Sequence, residues 1–140
     1  MPDMFMSNGY KDILIQQAFG ATDESEDYYL ILFANNIVIS DTTVSGDLTP
    51  ASFAGYANVS IPRSSLTVLN LIGNVQYLGT TVVPTYTNTG GSDEDVYGWA
   101  LIGVSSGDLV CSQNFLGAPT TIPPSQTLPI YPFQIGLQSW

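Results

Sequence analysis

Apolar and polar positions along this 140-residue chain follow two different periods. Near the start, Tyr10, Ile13, Leu14 and Ala18 recur at helical spacing, with Ser7 placed to cap them and Gly20 to stop them. That pattern predicts an amphipathic helix over residues 8–19, its apolar stripe turned toward a core. From Tyr28 onward the spacing is that of strands. Tyr28-Tyr-Leu-Ile-Leu-Phe33 is aromatic and aliphatic without a break, as in a strand covered on both faces. Strand-like segments then recur at 56–61, 66–72, 75–78, 81–87, 96–104 and 109–115. Clear turn signals separate them, notably Asn88-Thr-Gly-Gly-Ser92 and Ser105-Ser-Gly-Asp108. Between the first strand and these, Thr49-Pro50-Ala51-Ser52-Phe53 reads as a single helical turn, capped by threonine with proline at its first position. Many short strands with regular turns predict an all-β antiparallel sandwich or barrel.

Both ends depart from this pattern. Residues 1–7 hold three methionines and Phe5 with no period and read as an arm. At the other end, five of the nine prolines fall between Pro119 and Pro132. Proline cannot donate to a sheet ladder, so this stretch predicts an edge strand at best. Ile130, Pro132, Gln134 and Gly136 still alternate with Tyr131, Phe133, Ile135 and Leu137, which collects apolar groups on one face. A last strand at a sheet edge, or against a neighbouring subunit, is expected there. Neither an internal repeat nor a linker divides the chain. The expectation is one β-sandwich domain over 1–140, with an N-terminal arm (1–7) and a proline-rich C-terminal extension (117–140).

Composition narrows the functional classes. Charged residues are only 10%, against about 25% in an average soluble protein. Twelve acids face two bases, with no histidine, for a net charge of −10. Ser, Thr, Asn and Gln fill the gap with 42 residues. Nucleic-acid binding needs lysine or arginine to replace phosphate counterions, and Lys11 and Arg63 are the whole supply. Anionic membranes are excluded on the same ground. Without histidine, Ser-His-Asp and Cys-His chemistry and histidine metal sites are impossible. A single cysteine, Cys111, allows no intrachain disulfide. No apolar run approaches the roughly 18 residues of a membrane span, and the opening residues lack the form of a signal peptide.

Candidate chemistry is correspondingly sparse. Two acidic clusters, Asp23, Glu24, Glu26 and Asp27, and Asp93, Glu94 and Asp95, carry oxygen ligands of the kind calcium takes. Neither has the spaced pattern of a calcium loop, and they read as solvated turns. Nothing places two acids across a cleft as glycoside hydrolysis requires. Cys111 sits in a strand pattern with no base to activate it and reads as a small buried side chain. Gly98 and Gly103, inside a strand, mark a bulge or a close backbone approach. Trp99 beside Tyr97 has the makings of a sugar-stacking platform, although a core aromatic is commoner there. The residues therefore describe a non-enzymatic module with no catalytic, metal or cofactor site.

Three segments carry a resemblance. They are the predicted helix through Gly20 with Tyr29-Leu-Ile-Leu-Phe-Ala-Asn-Asn36, then Leu48-Thr-Pro-Ala-Ser-Phe-Ala-Gly-Tyr-Ala57, then Val96-Tyr-Gly-Trp-Ala-Leu-Ile102 with Leu109-Val-Cys-Ser-Gln-Asn-Phe115. The second contains a T-x-A-x-F-x-G-Y element, and the whole resembles small structural proteins of tailed bacteriophages. The resemblance implies a jelly-roll-like β-sandwich, a homotrimer, and a cement (decoration) role on the capsid surface of the virion after synthesis in the host cytoplasm. The implied partners are the major capsid protein and further copies of the chain, with neither nucleic acid nor membrane involved. The departure from the family pattern is the long, proline-rich C-terminus. Attachment would then rest on apolar anchors in the two ends: Met4 and Phe5, and Pro129, Ile130, Tyr131, Pro132, Phe133 and Trp140. The alternative is a tail or fibre accessory module that binds a host receptor or glycan through aromatic residues such as Trp99 or Tyr86. A salt-adapted protein of other role fits less well, because such proteins carry far more acid than this chain.

Overall fold

The computed structural model describes residues 4–6, 27–72, 75–80, 82–130 and 134–138. Among them are twelve strands, all paired antiparallel, and no α-helix. The predicted helix over 8–19 lies outside the described residues. The all-β expectation therefore stands for the body of the chain.

At the centre is β2 (Tyr28–Phe33), which pairs with β3 (Val59–Ile61) on one side and β8 (Gly98–Gly103) on the other. Beyond β8 come β9 (Leu109–Asn114) and then β1 (Met4–Met6) at the edge, completing a five-stranded sheet. The unbroken apolar run of β2 is explained by its position, since five of its six residues are buried. Alternate side chains feed two cores. Tyr28, Leu30 and Leu32 join Trp99, Leu101 and Cys111 on one face, while Ile31 and Phe33 join Ala100, Ile102 and Leu109 on the other. Each fully buried aliphatic or aromatic side chain here is worth roughly 1.5–3 kcal/mol.

The first core is completed by two short ladders. β6 (Thr85–Thr87) pairs with β11 (Thr127–Pro129), and β7 (Glu94–Val96) pairs with β10 (Thr120–Ile122). They deliver Tyr86, Val96 and Ile122, and Ile130 follows directly from β11. The Tyr86 hydroxyl donates to the Leu30 carbonyl at 2.6 Å, so this buried ring is also tied to the central strand. The third group is a hairpin, β4 (Leu66–Ile72) and β5 (Val75–Thr80), extended on the β5 side by β12 (Gln134–Gln138). At its base the Thr80 hydroxyl donates to Ser65 Oγ at 3.2 Å.

Several boundaries differ from the sequence pattern, each for a local reason. The strand expected over 96–104 is broken at Tyr97, because the chain changes partners there. β7 belongs to the ladder with β10, and β8 to the central sheet. At the break, Tyr97 N–H donates to the Phe33 carbonyl and its own carbonyl accepts from Phe115 N–H. Residues 49–53 form no helical turn. Pro50 instead bridges Phe33, and Ala51 N–H donates to the Leu32 carbonyl, so the segment runs extended beside β2. The stretch between Pro119 and Pro129 supplies two strands of the domain's own ladders, because its prolines leave the Thr120–Ile122 ladder uninterrupted. The first residues likewise hold a strand, β1, against β9.

Two glycines are fixed by contact. Gly98 packs so closely that a side chain there would collide with the Gln113 carbonyl and the Phe33 ring, which is the close backbone approach expected of it. Gly55, the glycine of the T-x-A-x-F-x-G-Y element, has φ of 86° and lies against the Thr87 carbonyl.

Candidate interaction surface

Between β2 and Pro50 the chain makes a loop, residues 34–49, that lies over the second core. Its ends are closed by Asn35. The Asn35 amide donates to the Asp47 carbonyl at 2.9 Å, and its oxygen accepts from Thr49 N–H at 2.8 Å. A compact loop with joined ends and its own packing is an Ω-loop, a form frequently used for function. Inward, Ile39 and Leu48 are buried with Ile31, Phe33 and Ala100. Within the loop, Ser40 N–H donates to Thr43 Oγ1 at 2.9 Å and Val44 N–H to an Asp47 carboxylate oxygen at 2.9 Å.

The loop is also clamped to the sheet at both ends of β9. Asn114, the last residue of β9, donates from its side-chain amide to the Ile37 carbonyl at 2.8 Å and accepts from Ile39 N–H at 3.1 Å. At the far end, Ser45 Oγ donates to the Gly107 carbonyl, in the turn from β8 to β9, at 2.7 Å. Val38 is thereby held outward between two anchored neighbours and is 86% exposed, and Val44 is 56% exposed. Val104 and Leu116, on the turns beside the two clamps, are 58% and 79% exposed. The loop thus presents aliphatic side chains to solvent beside both of its clamps. The sequence carried a signal for it, since Ile37-Val38-Ile39 is an apolar island inside a polar loop. The signal has no meaning until the loop is known to lie on the sheet.

The residues expected to attach the protein are described only in part. Met4 and Phe5 lie in β1, in register with Gln113 and Ser112 of β9. Pro129 is half-buried opposite Thr85, and Ile130 is buried in the first core, its N–H donating to the Pro84 carbonyl at 2.8 Å. Tyr131, Pro132, Phe133 and Trp140 lie outside the described residues. Of this group, only Pro129 has a described side chain that reaches the surface.

The aromatic residues suggested for a glycan groove are core residues. Trp99 and Tyr86 are buried, and Tyr86 lies 5.5 Å from Tyr56 in a stacked arrangement. Burial pushes the Tyr86 phenol well above its usual range. Burial also pushes Tyr56 up to about 12, against the opposing effect of the Leu32 N–H that its hydroxyl accepts. Neither ring presents a face for a sugar to stack on. Cys111 is buried, as expected, and desolvation pushes its thiol up.

The second acidic cluster sits at the surface. Asp93 and Asp95 are exposed, and Asp95 accepts from the Thr121 hydroxyl across the β7–β10 ladder at 2.6 Å. Asp27 accepts from Arg63 N–H at 3.0 Å, while Asp23, Glu24 and Glu26 lie outside the described residues. Among the described residues no three acids, cysteines or histidines converge as a metal site. No helix among them is long and apolar enough to cross a membrane. No family model, no curated protein and no solved structure matches this chain.

Proposed function

We propose that the chain is a structural virion protein of a tailed bacteriophage, of the jelly-roll type, that stabilises the capsid as a cement protein by binding the major capsid protein. One observation carries the reading. The described parts of the segments that resemble such proteins are far apart in sequence yet adjacent in space. Residues 29–33 lie in β2, 98–102 in β8 and 109–114 in β9, three neighbouring strands of one sheet. Residues 48–57 run beside β2, where Ala51 N–H donates to the Leu32 carbonyl and the Tyr56 hydroxyl accepts from Leu32 N–H. The described part of the resemblance thus falls in one contiguous unit of the fold, which is what supports reading it as kinship.

The composition supports the same role. A chain with two cations cannot hold nucleic acid by its charge, but it can hold a protein shell through apolar contacts and strand pairing. A cement protein binds a lattice of identical sites. In an oligomer such as a trimer, modest contacts made together add to strong attachment. The test is direct: purified protein is added to capsid shells lacking it, and bound protein is quantified after sedimentation. Saturable binding in a fixed ratio to shell subunits is expected. No binding to expanded shells would remove the reading.

A further inference from the structure

Of the five large aliphatic side chains found exposed where side chains are described, four lie on the Ω-loop or on the two turns hydrogen-bonded to it. Val38 and Val44 are on the loop. Val104 lies in the turn whose Gly107 carbonyl holds Ser45, and Leu116 lies two residues beyond the Asn114 clamp. From this placement we infer that the Ω-loop face is a docking surface for a heterologous protein whose contact region offers aliphatic sockets bordered by lysine or arginine.

Two features argue that the face is built for binding. The exposed aliphatic side chains lie in two pairs, Val38 and Leu116 by the Asn114 clamp and Val44 and Val104 by the Gly107 clamp, and each is costly to leave in water. The loop is also ordered in advance. Asn35 joins its ends, Asp47 ties back to Val44, and Asn114 and Ser45 fasten it to the sheet. A partner therefore meets a loop whose conformational entropy is already lost, and little further ordering opposes association.

Charge selects the occupant. Residues 34–49 and 104–116 contain Asp41, Asp47 and Asp108, all exposed, and neither lysine nor arginine. Two copies of this face would bring six carboxylates together with no cation between them, which disfavours a second copy. A surface with aliphatic sockets and a basic border satisfies both the apolar residues and the acids. The inference rests on the virion reading, in which that surface belongs to the capsid shell. It differs in placing the contact on the loop rather than on the chain ends.

Hydroxyl-radical footprinting of intact virions against the free protein tests it. Val38, Val44, Val104 and Leu116 are expected to be protected in the virion, while Val83, exposed elsewhere, keeps its reactivity. In shell binding, V38S/L116S is expected to bind at least about tenfold more weakly with an unchanged melting temperature, since both side chains lie in water in the free protein. D41N/D108N is expected to slow association while leaving dissociation unaltered. Virions in which the four side chains stay reactive, or shells that bind V38S/L116S normally, would overturn the loop assignment and leave the cement role standing. Protection that appears in the free protein as its concentration rises would assign the face to a second copy and overturn the inference. Absence of the chain from virions would remove both.

Discussion

Asn88 shows how one polar side chain organises this fold. It is fully buried, and its amide donates to the Ser92 and Ile122 carbonyls, both at 2.8 Å, while its oxygen accepts from Gly90 N–H at 2.9 Å. Its backbone N–H donates to the Gln126 carbonyl, and its carbonyl accepts from Ser125 N–H. Replacement by leucine leaves three backbone groups without their partner, the Ile122 carbonyl fully buried and the other two part-buried, so Asn88→Leu is expected to cost about 3 kcal/mol, read as a lowered urea midpoint. The buried phenols set a second expectation. Tyr56, Tyr86 and Cys111 are held neutral by burial, with raised folded-state values. The unfolded chain releases these protons first, so stability should hold only up to the unfolded cysteine value of about 9, with the tyrosines adding their loss from about 10. It should then fall as pH rises toward the Tyr56 value of about 12. Denaturant titrations across that range check this, and stability that stays constant up to pH 12 would contradict it. The core roles of Trp99 and Cys111 were legible from apolar neighbours in a strand. The role of Asn88 was not, because a key partner, Ile122, is 34 residues away.

At the scale of elements, β2 and β8 were legible because buried strands are written as nearly continuous apolar runs, and β9 because Leu109-Val-Cys111 opens it after a clear turn. What escaped were places where the partner, rather than the residue, decides. Tyr97 looks like the middle of a strand, yet the chain changes ladders there. Residues 49–53 have the residues of a capped turn, yet backbone pairing with β2 holds them extended. The short ladders of β10 and β11 were hidden in a proline-rich stretch, where proline signals an edge but not which edge. The Ω-loop depends on the same kind of distant pairing. Asn114→Leu removes both hydrogen bonds that hold Ile37 and Ile39. The Ile39 amide is then expected to exchange with solvent about tenfold faster, with β2 amides unchanged. Equal acceleration across the central sheet would show that the clamp stabilises the whole domain rather than the loop.

At the scale of the molecule, scarcity of charge is the organising fact. Among the described charged groups, Asp27, Asp47 and Asp95 accept hydrogen bonds from Arg63 N–H, Val44 N–H and the Thr121 hydroxyl. The folded body buries two cores on opposite faces of one sheet, and Val38, Val44, Val104 and Leu116 are exposed on the Ω-loop and the turns clamped to it. On the proposed role, such a molecule would meet the shell by shape and apolar contact. A protein that coats a repeating shell must also be present at the number of the shell's repeats. The most direct test of that role is the number of copies of this chain per particle, measured by quantitative mass spectrometry of purified intact virions. The account predicts hundreds of copies, in a fixed ratio to the major capsid protein. A handful of copies confined to the tail, or none, would contradict it.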